Sequence, residues 1–297
     1  MPTAIIPILL TVAIGFAIES YRRTDVRALS TIVIYVLLPC LIFTSLLTTK
    51  VTLGEALPLM GVVVFLTLSL WALGKIIARA RHYDQKRESY LLITTIFMNA
   101  GNMGMPVAFY AFGEDGLALA VIWVLVVNTL SNTMAVYYVS RHLGGGRQAM
   151  RTVFTLPAMY AAVVALVMRN LGVGLPGYLM DPLQLLGKSV IPVSQLLLGI
   201  QLAKSRSQVR EFLGQLVLPN CMRLLLSPAI GFGLALLLGL HGLAFKVAVL
   251  LAAMPTGVNM AVYAAEFDAR PRLVATTVFT STVASFFTIT ALLILLR

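Results

Sequence analysis

The sequence predicts an all-α integral membrane protein of ten transmembrane helices, arranged as two five-helix repeats with the second inverted relative to the first. Three observations carry this prediction. Of 297 residues, 59% are apolar and 11% charged, and the mean hydropathy is +0.93. Ten apolar runs follow one another, most of them near the roughly 20 residues that a bilayer core about 30 Å thick requires. Two of those runs, one in each half, are interrupted by clusters of Asn, Gly and Pro: Asn99 to Pro106 and Met254 to Met260.

Taken in order, the runs cover residues 3–18, 29–47, 57–78, 89–112, 116–139, 153–169, 183–203, 215–240, 244–266 and 271–296. The first counts as a span and not as a secretory leader. Met1-Pro-Thr-Ala lacks a basic n-region, and no small-residue cleavage site ends the run. Span 2 carries Pro39 and span 7 carries Pro192; span 4 carries Pro106 and span 9 carries Pro255. The two prolines of the second half follow those of the first at nearly the same offset. Five spans in each half form an odd number, so the second half enters the membrane upside down, as in transporters with inverted repeats. The domain reading is therefore 1–139 for the first repeat, 140–152 for a short cytoplasmic connection and 153–297 for the second repeat. Polar connections of about a dozen residues cannot bury a core of their own, so function resides in the membrane.

The net charge of +11 is a matter of topology. Most basic residues fall on the odd-to-even connections: Arg22, Arg23 and Arg27; Lys75, Arg79, Arg81, Lys86 and Arg87; Arg141, Arg147 and Arg151; Lys204, Arg206 and Arg210; Arg270 and Arg272. By the positive-inside rule that side is cytoplasmic and both termini face outward. A nucleic-acid partner is not expected. Cys40 and Cys221 lie inside spans and read as small apolar residues. His82, His142 and His241 have no i, i+4 partner for a metal site, and no nucleophile–base pair is visible at mid-depth. We expect neither an enzyme nor a bound cofactor.

In hydrocarbon a broken helix leaves amides and carbonyls without partners, so such backbone persists only beside protein or a water-filled cavity. A matched pair of breaks points to a transporter's binding site. After each break a half-helix begins, with Pro106 near one start and Pro255 near the other. Its free N–H groups carry about half a positive charge, which suits a carboxylate. Asn99, Asn102 and Asn259 add amide donors, while Gly101, Gly104 and Gly257 let the backbone approach closely. The candidate substrate-binding residues are thus Asn99, Gly101, Asn102, Pro106, Pro255, Gly257 and Asn259. The same asparagines can also cap the half-helices, and the two roles are compatible. Charges inside spans are few, and Lys188 and Arg223 are the ones to explain, with structural roles or a role in attracting anions open to both. None of the 11 Asp and Glu residues lies at mid-membrane, which argues against an obligatory carboxylate proton relay.

The segment Phe97-Met-Asn-Ala-Gly-Asn-Met-Gly-Met-Pro106-Val resembles the fourth-helix signature of the auxin efflux carrier family, which includes plant carriers and bacterial organic-acid transporters. Further matches follow in order: Tyr35-Val-Leu-Leu-Pro-Cys-Leu-Ile-Phe, Leu198-Gly-Ile-Gln-Leu202, Met222-Arg-Leu-Leu-Leu-Ser-Pro228 and Met254-Pro-Thr-Gly-Val-Asn259. The resemblance implies that spans 4 and 9 cross at their breaks. It also implies a scaffold of spans 1, 2, 6 and 7, against which spans 3–5 and 8–10 move elevator-fashion, and a homodimer. Asn99 occupies the position that the resemblance marks as the contact at the span 4 break. With so short a central connection, regulation through that loop is not expected, and Asn259, where plant forms have a second proline, favours a bacterial-type carrier in the plasma membrane over an auxin carrier.

The expected function is a secondary transporter of small organic anions, mono- or dicarboxylates or auxin-like acids. The bile-acid sodium symporters resemble the same fold and place sodium ligands near the crossing. That makes Asn128, Thr129 and Asn132 on span 5 candidate ion ligands, and a sodium-coupled symporter the alternative. Proton coupling and an anion channel are the remaining readings.

Overall fold

Prolines inside the spans shape the helices locally. A proline donates no N–H and its ring collides with the carbonyl four residues earlier, and a π turn ahead of it opens the helix enough to accept the ring. The computed structural model describes residues 5–22, 24–135, 137–138, 157–205, 209–266 and 268–296, without the side chains of Asn132 and Ser205. It has π turns at Val33–Leu37, Ala100–Gly104 and Met222–Leu226, ahead of Pro39, Pro106 and Pro228 respectively.

The helices are α1 (Ile5–Tyr21), α2 (Val26–Thr48), α3 (Leu53–Ala80), α4 (Gln85–Ile96), α5 (Ala100–Ala135), α6 (Pro157–Asn170), α7 (Gly177–Lys204), α8 (Val209–Leu237), α9 (Gly242–Ala252), α10 (Asn259–Glu266) and α11 (Pro271–Leu295). Among the described residues, α2, α3, α5, α7, α8 and α11 are long and apolar enough to cross a bilayer, and α1 and α9 are shorter apolar helices. Two of the ten expected spans are divided, span 4 between α4 and the start of α5, and span 9 between α9 and α10. Spans 4 and 5 meet inside α5 at Gly113, whose φ of 71° and ψ of −159° turn the chain where a side chain would be strained. The connection at 140–152 lies outside the described residues.

Polar residues set the helix starts. Asp25 Oδ1 accepts from the amides of Arg27 and Ala28 at 2.9 and 3.2 Å, and Asp84 Oδ1 accepts from Arg87 at 2.6 Å. Glu55 reaches back to the Thr52 amide at 3.0 Å, so α3 begins with a capping box.

Packing joins the helices into two groups. The second half of α7 lies along α1, and the end of α2 packs against α6 and the first half of α7. The α1–α7 contact is backbone to backbone, for a Cβ on Gly15 would overlap the Leu196 carbonyl and one on Gly199 that of Val12. In the second group α3 packs on α4, α5 and α8, α9 on α5 and α8, and α11 on α8 and α10. The seam between the groups runs where the second half of α7 meets Ala100–Gly104.

Candidate functional site

The two breaks lie against each other. Between α4 and α5 the chain from Phe97 to Asn99 leaves the helix, with Phe97 extended, and between α9 and α10 the chain from Ala253 to Val258 does the same. Met98 and Thr256 form an isolated antiparallel bridge, in which the Asn99 amide donates to the Pro255 carbonyl at 2.7 Å and the Gly257 amide to the Phe97 carbonyl at 2.8 Å. Gly257 permits this approach, because a Cβ there would sit 3.3 Å from the Met98 carbonyl oxygen.

A helix ending in the membrane interior must find acceptors and donors for its terminal groups. The last carbonyls of both helices find donors. Thr256 Oγ1 donates to the Thr94 carbonyl at 2.7 Å, and Arg223 Nη1 donates to the carbonyls of Thr95 at 2.9 Å and Ile96 at 3.2 Å. On the other break, Arg223 Nη2 donates to the Ala252 carbonyl at 2.5 Å, and Ser227 Oγ donates to the same oxygen at 2.8 Å. Arg223 Nη2 also donates to Ser227 Oγ. Behind the pair, Ser281 Oγ of α11 accepts from the Thr256 amide at 3.2 Å.

The amides are treated differently. The Asn99 carbonyl accepts from Met103 at 3.3 Å and Gly104 at 3.0 Å, so the helix of α5 begins at Ala100. The amides of Ala100, Gly101 and Asn102 precede those bonds and have no intrahelical acceptor. α10 begins at Asn259, four residues beyond Pro255. The half-helix starts therefore fall at Ala100 and Asn259, and neither proline stands at a start. Pro106 is buried in the second turn, and Pro255 contributes its carbonyl to the bridge.

Two adjoining cavities open beside these starts, of about 60 and 50 Å³, each with room for several waters. Gly101, Asn102, Asn128 and Asn259 line both. Asn99 and Gly257 line the smaller one, and Asn99, 4% exposed, has no hydrogen-bond partner for its Nδ2. A Cβ on Gly101 would meet nothing within 4 Å. Of the seven residues expected at the site, five line the cavities and the two prolines shape the backbone beside them.

Other side chains come to the site from positions not singled out in the sequence. Ser30, Val33, Ile34 and Leu38 of α2 and Val190, Ser194 and Leu197 of α7 close the larger cavity from the opposite group, and Ser131 reaches the smaller. Ser194 is 1% exposed and its Oγ has no partner. Hydroxyls within these spans otherwise commonly donate to the carbonyl four residues back, as Thr44 does to Cys40 and Thr276 to Arg272. The signal for Ser194 was a polar Ser-Gln pair beside Pro192 in an apolar span.

The remaining candidates lie elsewhere. Thr129 turns its hydroxyl to the Leu125 carbonyl at 2.8 Å and to Met159 of α6, so of the three candidate ion ligands Asn128 reaches the cavities; the Asn132 side chain lies outside the described residues. Lys188 pairs with Glu114 at 3.0 Å in a separate cavity of about 230 Å³ between α2, α7 and the Gly113 turn. Arg223 lies behind the breaks, fully buried, with both terminal nitrogens bound to carbonyls and Ser227 and not open to an inner vestibule.

With this geometry established, sequence comparison places it among known proteins. A family model described as membrane transport protein matches residues 1–152 and again 142–293. An uncharacterized transporter of Methanothermobacter thermautotrophicus is 27% identical over 287 residues, covering 95% of this chain and 93% of the relative. An uncharacterized transporter of Methanocaldococcus jannaschii is 25% identical over 297 residues, covering 95% and 94%.

Proposed function

Because the chain belongs to the membrane transport protein family, the auxin efflux carrier type that its motifs resemble, we propose that it is a secondary carrier of small organic anions. The observation that carries this reading is the pair of half-helix starts facing one cavity, with the amides of Ala100 to Asn102 and the side chains of Asn99, Asn102 and Asn259 around it. A carboxylate, mono- or dicarboxylate or an auxin-like acid, is the ligand that such donors fit.

In this reading the breaks are the mid-membrane crossing of spans 4 and 9 in an inverted five-plus-five repeat. The group of α1, α2, α6 and α7 is the scaffold, and the group of α3–α5 and α8–α11 carries the site. The seam through the larger cavity supports an elevator movement, because the ligand touches both groups and one group can slide along the other. The basic connections support an orientation with both termini outside a plasma membrane, and the resemblance suggests a homodimer.

The test is thermal stabilisation of the purified protein by a panel of carboxylates, in sodium and in choline, with Asn99→Ala alongside. An acid that stabilises the wild type and loses its effect in Asn99→Ala supports the site. Stabilisation that persists in the variant moves the site elsewhere, and a panel without effect removes the organic-anion reading. A sodium-coupled symporter is the second reading, favoured by Asn128 and Ser131 at the smaller cavity. It requires the stabilisation to vanish in choline.

A further inference from the structure

Arg223 is the sole charged side chain among the described residues that is buried, and it spends its charge on helix ends. Four helix ends meet at the breaks. The C-termini of α4 and α9 each carry about half a negative charge, and the N-termini of α5 and α10 each carry about half a positive one. Alone, the four poles cancel, and an anion gains only from orientation. Arg223 changes this, because its guanidinium binds the terminal carbonyls of Thr95 and Ile96 at one C-terminus and of Ala252 at the other. An arginine keeps its charge in a protein interior, so both negative poles are cancelled from behind while both positive poles still face the cavity.

We infer that Arg223 is a positioning residue that joins the two helix ends and leaves the paired breaks with one uncompensated positive charge, so that the site takes a singly charged carboxylate. This rests on the organic-anion reading above and narrows it. The unpartnered Nδ2 of Asn99 and Oγ of Ser194, both buried at the cavities, are the polar atoms such a ligand meets. When a monoanion is bound the buried site is neutral, whereas the empty site carries the full charge of Arg223. A dianion leaves one negative charge unmatched in a low-dielectric interior, where an unpaired charge is costly.

The experiment uses the full chain and three matched pairs of acids, butyrate with succinate, valerate with glutarate and benzoate with terephthalate, at a pH well above the carboxyl range. In every pair that stabilises the protein, the monoacid binds more tightly by about tenfold or more. Counterflow of labelled benzoate in proteoliposomes then tests the charge, because exchange involves only the loaded carrier. Its rate is insensitive to an imposed potential in the wild type and in Arg223→Lys, and becomes sensitive in Arg223→Gln, whose loaded site bears an unmatched negative charge. A purely structural arginine would lower the rate in Arg223→Gln without creating voltage dependence.

Equal or tighter binding of the diacids, or voltage-sensitive counterflow in the wild type, overturns the inference, and both are wild-type measurements that stand if Arg223→Gln does not fold. Diacid preference that is lost in Asn99→Ala overturns the inference while leaving the organic-anion site in place. Absence of binding by every acid overturns both.

Discussion

Replacing Gly101 by alanine separates ligand binding from folding. A Cβ at Gly101, which lines both cavities, meets nothing within 4 Å, so the methyl group occupies open space at the site and displaces no protein atom. Its effect on the fold follows from the backbone, and Gly to Ala in a helical turn stabilises by about 0.5–1 kcal/mol. Its effect on the ligand is opposite, since a methyl beside the free amides keeps a carboxylate oxygen from at least one of them. A hydrogen bond to a charged group is worth about 1.5–3 kcal/mol, equivalent to a loss of about 10- to 150-fold in affinity. Gly104→Ala, one turn further along α5, is the control. Its Cβ would lie 2.6 Å from Leu251 Cδ2 and 3.3 Å from Met254 Cγ, and overpacking of that kind costs about 1–3 kcal/mol. Melting curves with and without the best stabilising acid read both quantities. Gly101→Ala should melt no lower than the wild type and lose its ligand shift, whereas Gly104→Ala should melt lower. An unchanged ligand shift in Gly101→Ala refutes the placement of the carboxylate at the α5 start.

Three further substitutions probe the surroundings. Ser194→Ala removes a hydroxyl that bonds nothing in the protein, so stability holds while acid binding weakens by up to about tenfold, which ligand-dependent melting reports. Thr256→Val leaves the buried Thr94 carbonyl without its donor and lowers stability in denaturant titration by about 1–3 kcal/mol. Lys188→Gln breaks a pair whose side chains are both more than half exposed, and changes stability by no more than about 1 kcal/mol, with the difference fading as salt is raised.

The breaks themselves were legible in the sequence, because the Asn, Gly and Pro clustered at Asn99 to Pro106 and at Met254 to Met260 have no place in a lipid-facing apolar helix, although α5 runs on through Pro106 itself. The starts of the half-helices were not. They depend on the π turn at Ala100–Gly104 and on a pairing between Met98 and Thr256, residues 158 positions apart in the chain. Gly101 and Asn102 stood out by type, and the structure brings them to the cavity. Ser194 did not stand out, since a serine in a membrane span ordinarily bonds its own helix and only tertiary packing shows that this one does not. Arg223 was conspicuous as a charge, but its partners are carbonyls, which every residue has and no sequence pattern marks. The pairing of Lys188 with Glu114 likewise joins the two groups of helices and follows no local spacing.

The central claim is that one site at the paired breaks is reached alternately from the two sides of the membrane. A single cysteine at Asn259, which is exposed and lines both cavities, tests this once the native Cys40 and Cys221, both free thiols, have been replaced by serine. The measurement is the rate at which membrane-impermeant thiol reagents modify Asn259→Cys from the outside and from the inside of sealed vesicles. Alternating access predicts modification from both sides, with reaction on one side slowed when conditions hold the carrier open to the other, and protection by the stabilising acid on both. Modification from one side alone under every condition, or at full rate from both sides at once, would contradict it.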